Sequence, residues 1–473
     1  MISLDPLDII IIAAFFGLLA ALALSTRLRE NSVLQYLAAG RSLTLPFFVA
    51  TLVSTWYGGV LAIGEIVSYY GIGTWVLMGV PYYSFAILYA LVIAKKVRSG
   101  AQISIPERFA GTFGDKTAVV ASLLLVLLAV PAAHILMVGT LFQAIVGFEK
   151  WAGILLAAVI GLAFLYRGGL PADVRVSSLA FLMMYVGFAA IVGVGLSSVS
   201  IPDALTDLSR QDLMKWDGGI GPIGVVSFFI LGAWTLVDPG FHQRVAGAAS
   251  PEVGRRGVLV AVVCWFVFDA LMIAAGLIAL HRLGGPPEDG LMLFPMLAES
   301  LLGPGLKAVF LCGVFGVMIS ALVGYLLVSG ASIGRDLYAR LVHEPDDQKV
   351  MQWSRVGVIV ASLMGIGLAL WVPSVRDLWF AWAGAVVGAI LVPFLMAYLR
   401  PNWRLPDGET ALSMGISFLF AVGLMLWGRL NQNPLLEFEI AGQSVIVGTL
   451  VPGLAVSSVI IGVMTLVSRT VKP

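Results

Sequence analysis

Apolar runs long enough to cross a lipid bilayer recur from one end of the chain to the other, at roughly 7–25, 45–72, 75–94, 118–146, 151–166, 177–199, 221–237, 257–280, 306–329, 356–372, 378–399, 411–430 and 445–467. About 20 helical residues span a hydrocarbon core, so the pattern predicts an all-α polytopic membrane protein with about 13 transmembrane helices. Composition agrees, since 59% of the 473 residues are hydrophobic and 12% are charged, a balance that excludes a soluble globular domain. A net charge of +1 without runs of like charge leaves no footprint for nucleic acid. Cys264 and Cys312 both lie in apolar runs and read as small hydrophobes, with no redox or metal signal.

Lysine and arginine fall in alternate loops. Arg27, Arg29 and Arg41, then Lys95, Lys96, Arg98, Arg108 and Lys116, then Arg167 and Arg175, Arg244 to Arg256, Arg335 to Arg355, Arg400 and Arg404, and Arg469 and Lys472 all collect on one side. The opposite side holds far fewer. The positive-inside rule therefore orients the chain with its N-terminus out and its C-terminus in, in the cell (inner) membrane, and an odd number of spans fits that orientation. The first run carries Asp5 ahead of it and its arginines behind it, which reads as a retained helix rather than a cleaved signal. The longest loop, about 200–220, is too short to fold alone, so one membrane domain is expected.

The second run contains Ser54-Thr55-Trp56-Tyr57-Gly58-Gly59 at its middle. Glycine costs about 1 kcal/mol against alanine inside a helix, so a pair at mid-depth predicts a break. Irregular backbone at that depth is tolerated where it is buried in protein or lines a cavity. Its freed carbonyls suit a small cation, and the half-helix that follows suits an anionic group. The simpler alternative is that Gly58 and Gly59 only admit a neighbouring helix.

Four motifs carry a resemblance. Tyr36-Leu-Ala-Ala-Gly-Arg41-Ser42-Leu43 precedes the broken run, Tyr166-Arg167-Gly168-Gly169-Leu170 follows the fifth run, and Gln243-Arg244-Val245-Ala246 follows the seventh. Leu326-Leu327-Val328-Ser329, running on to Arg335-Asp336-Leu337-Tyr338, closes the ninth. In this order, over about 36–401, they resemble the sodium:solute symporter family. That resemblance implies the leucine-transporter fold, a 5+5 inverted-repeat core in which an odd number of spans per repeat inverts the second. The implied divisions are an N-terminal helix and link at 1–44, a first five-helix repeat at 45–199, an external loop at 200–220, a second repeat at 221–401 and two C-terminal helices at 402–473.

The same resemblance implies a secondary active transporter that couples Na+ to a small organic solute by alternating access, and no enzyme. Carried over residue by residue, it places Na+ at the backbone carbonyls of Ser54 and Tyr57 on the first core helix, and at Val317 and Ser320 on the eighth. Oxygen donors without added charge suit that hard cation. Ala321 departs from the family, which has a hydroxyl there, so a water or the hydroxyl of Ser54 or Thr55 completes the site, or another ion drives transport. Val176, Ser177 and Ala180 also replace the family's polar residues on the fifth core helix. Proton-coupled transport, or an uncoupled transporter or channel of the same fold, therefore stays open. An intramembrane enzyme or a sensor has no supporting constellation, and no Gly-Lys-Ser/Thr phosphate loop is present.

Ionisable groups inside spans are costly and tend to face a cavity or a partner. Here they are Glu65, His134 and Asp269, with Asp238 near a helix end. Glu65 reads as a substrate or proton group, or as a structural carboxyl bonded to another helix. Asp269 sits on the seventh core helix, which lines the cavity of related transporters. His134 reads as a pH-sensitive site group or as an interior hydrogen-bonding residue. Asp238-Pro239-Gly240 reads as the solvated cytoplasmic end of the sixth core helix, with Trp234 one turn inside as a gate or an interfacial anchor. With Trp56, Gly58 and Gly59, the residues Glu65, His134, Trp234 and Asp269 make the expected substrate site. Leu61, Leu231 and Trp265 stand where sugar carriers of the family have polar side chains, which argues against a sugar. The sequence leaves the solute and the oligomeric state open.

Overall fold

The computed structural model describes every residue except 1, 27, 29, 31, 166–167, 343–345, 373, 401–404, 441 and 471–473, and omits the side chains of 444 and 467–470. Arg27, Arg29, Tyr166, Arg167, Arg404, Lys472 and the division at 401–402 therefore lie outside the described residues, as does the side chain of Arg469.

Each predicted run falls on a helix. Among the described residues, ten helices are long and apolar enough to cross a membrane, or eleven with the bent pair Gly221–Val237 and Pro239–Gly247 counted as one. The runs at 151–166 and 445–467 form the shorter apolar stretches Lys150–Leu165 and Leu450–Leu466. Helix starts follow local chemistry. Ser250 accepts a hydrogen bond from the Val253 N–H and Pro251 occupies the first turn of Pro251–Leu283, while Gly284, at φ 75°, closes its far end.

Leu306–Ala331 is the axis of the molecule and is buried almost throughout. Gly169–Ser198 packs closely along it. Small residues make that approach possible, because a β-carbon at Gly313 would come within 2.6 Å of the Met183 carbonyl oxygen and one at Gly316 within 3.3 Å of Ala180. Helices in lipid associate by this kind of close contact. Leu306–Ala331 runs on into a π-helical stretch, Ser332–Tyr338, that carries the Arg335-Asp336 motif.

Among the described residues, three core helices are interrupted. The first core helix runs Leu45–Trp56, makes a single 3-10 turn at Tyr57–Gly59 and resumes as Val60–Tyr70. The third is Asp115–Ala129 followed by Ala132–Val146, with Pro131 between. The sixth bends by 42° at Asp238.

Two features depart from the sequence reading. The loop after the fifth core helix folds into a short helix, Ile201–Arg210. The connection between the last two helices carries an antiparallel hairpin, Glu437–Ile440 against Gln443–Ile446, in a chain read as all-helical.

Candidate functional site

The break in the first core helix is tighter than the freed backbone expected from Gly58-Gly59. Tyr57 adopts φ −81°, ψ 13°, and its carbonyl accepts from the Val60 N–H in a 3-10 turn. A carbonyl has two lone pairs, so one remains for a cation. The glycines matter through proximity. A β-carbon on Gly58 would overlap that of Ala321 and lie 2.8 Å from the His134 ring, and one on Gly59 would come within 2.5 Å of Trp379. The backbone of the break is thus pressed against the eighth and tenth core helices.

Ser54 and Ser320 are both fully buried, with their hydroxyl oxygens 3.0 Å apart. Ser177 lies on the far side of Ser320 at 2.7 Å and donates to Asp173 Oδ1 at 3.2 Å. A carboxylate only accepts, so the chain has one direction: Ser54 donates to Ser320, Ser320 to Ser177 and Ser177 to Asp173. Val317 is buried on the same helix, three residues before Ser320, and so shares its face.

Asp173 also holds a charge that the sequence reading misplaced. Arg244, assigned to a cytoplasmic loop, is 1% exposed and its Nη2 lies 2.8 Å from Asp173 Oδ2. The same nitrogen donates to Thr55 Oγ1 at 2.7 Å, Nε donates to Thr51 Oγ1 at 3.2 Å, and Nη1 donates to the Gly240 carbonyl at 3.1 Å. The reason is the bend at Asp238, which turns Pro239–Gly247 back into the protein instead of releasing it to solvent. Asp238 is correspondingly 2% exposed rather than solvated. It caps the second half-helix by accepting from the Phe241 N–H at 2.7 Å, and it accepts from the Tyr325 hydroxyl at 2.9 Å.

Above this network lies a cavity of about 130 Å³, lined by the broken first and third core helices and by residues of the second, sixth, seventh, eighth and tenth. Trp56, Gly59, His134, Trp234 and Asp269 line it, five of the seven residues expected at the substrate, and so does Tyr57, expected at the cation. Gly58, also expected there, instead packs on Ala321 and His134 at its edge. Glu65 does not line it and lies against Gly290, in the 3-10 turn Gly290–Met292 that leads into Leu293–Leu301. Asp269 accepts from the Tyr57 hydroxyl at 2.9 Å and from the Tyr83 hydroxyl, and Tyr57 also reaches the Trp265 carbonyl at 2.8 Å. The His134 ring stacks on Tyr325, with centroids 5.1 Å apart.

Residues that the sequence reading did not single out complete the picture. Tyr82, Tyr83, Tyr325, Trp379 and Trp382 line the cavity, and Asp173 anchors the polar network. Away from the cavity, Arg335 pairs with Glu107 at 2.6 Å and Ser104 donates to Asp336 at 2.6 Å. These contacts close the end of the axial helix onto Ile105–Thr112.

Comparison with known proteins gives consistent matches. The model of the sodium:solute symporter family matches residues 36–399. A sodium/proline symporter of Staphylococcus aureus is 23% identical, with 82% of this chain and 80% of that protein covered. The high-affinity proline transporter PutP of Bacillus subtilis is 22% identical over 91% of both chains. A high-affinity choline transporter of Caenorhabditis elegans is 22% identical over 83% of this chain and 70% of that protein. Among solved structures, an outward-open, substrate-bound Na+-coupled sialic acid symporter superposes with a TM-score of 0.81 at 14% identity, covering 100% of this chain and 99% of that one. The nucleobase-cation symporter Mhp1 superposes with a TM-score of 0.58 at 14% identity, with 93% and 96% covered.

Proposed function

Since the chain belongs to the sodium:solute symporter family, and is a sodium-coupled symporter of a small solute in a leucine-transporter-type fold, we propose that its coupling cation is held where the break of the first core helix meets the eighth. The ligands in this reading are the carbonyls of Ser54 and Tyr57, the carbonyl of Val317 and the hydroxyl of Ser320. The observation that carries it is the buried 3.0 Å approach of the Ser54 and Ser320 hydroxyls beside a carbonyl turn. Such oxygens replace the hydration shell of a hard cation without adding charge. Ala321 leaves the site one hydroxyl short, and Ser177, 2.7 Å from Ser320, is the hydroxyl we assign in its place. Because the cation joins one helix to another, it favours the arrangement in which both are docked, and this links ion binding to alternating access.

The solute occupies the neighbouring aromatic cavity, with Trp56, Gly59, His134, Trp234 and Asp269 around it. Equilibrium binding of radiolabelled sodium to the purified protein tests the assignment. Ser320→Ala should weaken binding by about tenfold, the loss of one well-placed ligand group of about 1.4 kcal/mol. Unchanged sodium binding in that variant would overturn the site.

A further inference from the structure

The chemistry of the cavity wall defines which solutes it accepts, an inference that rests on the symport reading above. Among the described residues no lysine or arginine lines it, whereas two carboxylates, Asp238 and Asp269, do. The nearest guanidinium, that of Arg244, is committed to Asp173, Thr51, Thr55 and the Gly240 carbonyl. Of the four tyrosines lining it, three have committed hydroxyls as well: Tyr57 and Tyr83 donate to Asp269, and Tyr325 donates to Asp238. The Trp382 indole N–H, which would otherwise suit an anion, donates to the Leu127 carbonyl at 3.0 Å. What the wall presents is therefore chiefly ring surface and carboxylate, with several of its donors already engaged.

Those rings come from separate helices. Trp56 is on the first core helix, Tyr82 on the second, Trp234 on the sixth, and Trp379 and Trp382 on the tenth. Trp56 is fixed by stacking on Trp265 at 5.0 Å and by an edge contact with Tyr82 at 5.1 Å. Aromatic faces carry negative quadrupole charge and attract cations, most strongly where water is excluded. An anion in the same space would face two carboxylates.

We propose that the cavity is a site for an organic cation, a quaternary ammonium or protonated amine, seated among the rings of Trp56, Trp234, Trp379 and Trp382 with Asp269 as its counter-charge. Asp269 then has a double task. It balances the nitrogen of the solute, and through Tyr57 it ties the solute to the turn that holds the coupling cation.

The experiment is binding to the purified full chain in sodium chloride, read by quenching of tryptophan fluorescence and by thermal stability. The probes are choline, its neutral isostere with carbon in place of nitrogen, and acetate. Choline should bind at least about tenfold more tightly than the isostere, in keeping with a desolvated cation–π contact of about 2 kcal/mol, and acetate should not bind. Trp379→Leu should remove most of that preference and Trp379→Phe should retain it. Equal binding of choline and the isostere, preferential binding of acetate, or no binding of choline would overturn the cation assignment. The same titrations in potassium chloride separate this from the coupling reading: preference for choline without any sodium effect would contradict the coupling ion and still support the organic-cation site.

Discussion

Ser54 and Ser320, 266 positions apart in the chain, meet with their hydroxyl oxygens 3.0 Å apart in the buried centre of the molecule. This contact joins the break of the first core helix to the axial eighth helix. It also starts the directed hydrogen-bond chain that ends on Asp173 and so on Arg244. Thr55, which accepts from Arg244, and Tyr57 also line the cavity, so the polar network and the cavity meet at the break of the first core helix.

The close approach at Gly58 predicts that Gly58→Ala destabilises the protein. Its β-carbon would overlap that of Ala321 and crowd His134, and overpacking of this kind costs about 1–3 kcal/mol. Thermal unfolding of the detergent-purified protein measures it. Ala321→Gly in the same chain should recover a large part of the loss, and no recovery would mean that the contact is not the cause.

The Asp173–Arg244 pair predicts strong non-additivity. Removing one partner of a buried pair leaves an uncompensated charge and costs about 3–5 kcal/mol. Arg244→Met and Asp173→Asn should each lower stability sharply, and the double variant should be less impaired than the sum of the two. Additive losses would show that the two charges do not interact in the folded protein.

How far the sequence reveals this arrangement depends on which constraint each residue obeys. The break at Tyr57–Gly59 is legible because two adjacent glycines weaken a helix interior, whereas the close packing they also allow against Ala321 and Trp379 is not. The pairing of Ser54 with Ser320 becomes legible only through the family's motifs, since nothing local links positions so far apart. Asp173 and Arg244 escape detection for a physical reason: each flanks an apolar run and so reads as a loop charge. The helix from Gly169 starts eight residues before the apolar run does, and the bend at Asp238 folds Arg244 back inside. Trp379 and Trp382 are hidden differently. On an apolar helix a tryptophan facing lipid and one facing a cavity look alike in sequence, and only packing tells them apart.

Glu65 illustrates the converse error. An acidic residue beside the break invites a role at the substrate, yet it lies against Gly290, outside the cavity wall. Glu65→Gln should accordingly leave the affinity for the transported solute within about twofold of the parent, the range of a substitution outside the site. A large change, measured by the same fluorescence titration used for the cavity, would place Glu65 in the transport path.

The most direct measurement is thermal stability of the purified protein in sodium against potassium chloride at equal ionic strength, without any organic solute. A ligand that binds only the folded state stabilises it in proportion to its saturation, by about 2.7 kcal/mol at a hundred times its dissociation constant. The account predicts a saturable, sodium-selective rise in melting temperature that Ser320→Ala shifts to higher sodium concentration. Identical melting in sodium and potassium across the titration would contradict a coupling cation held between Ser54, Tyr57, Val317 and Ser320.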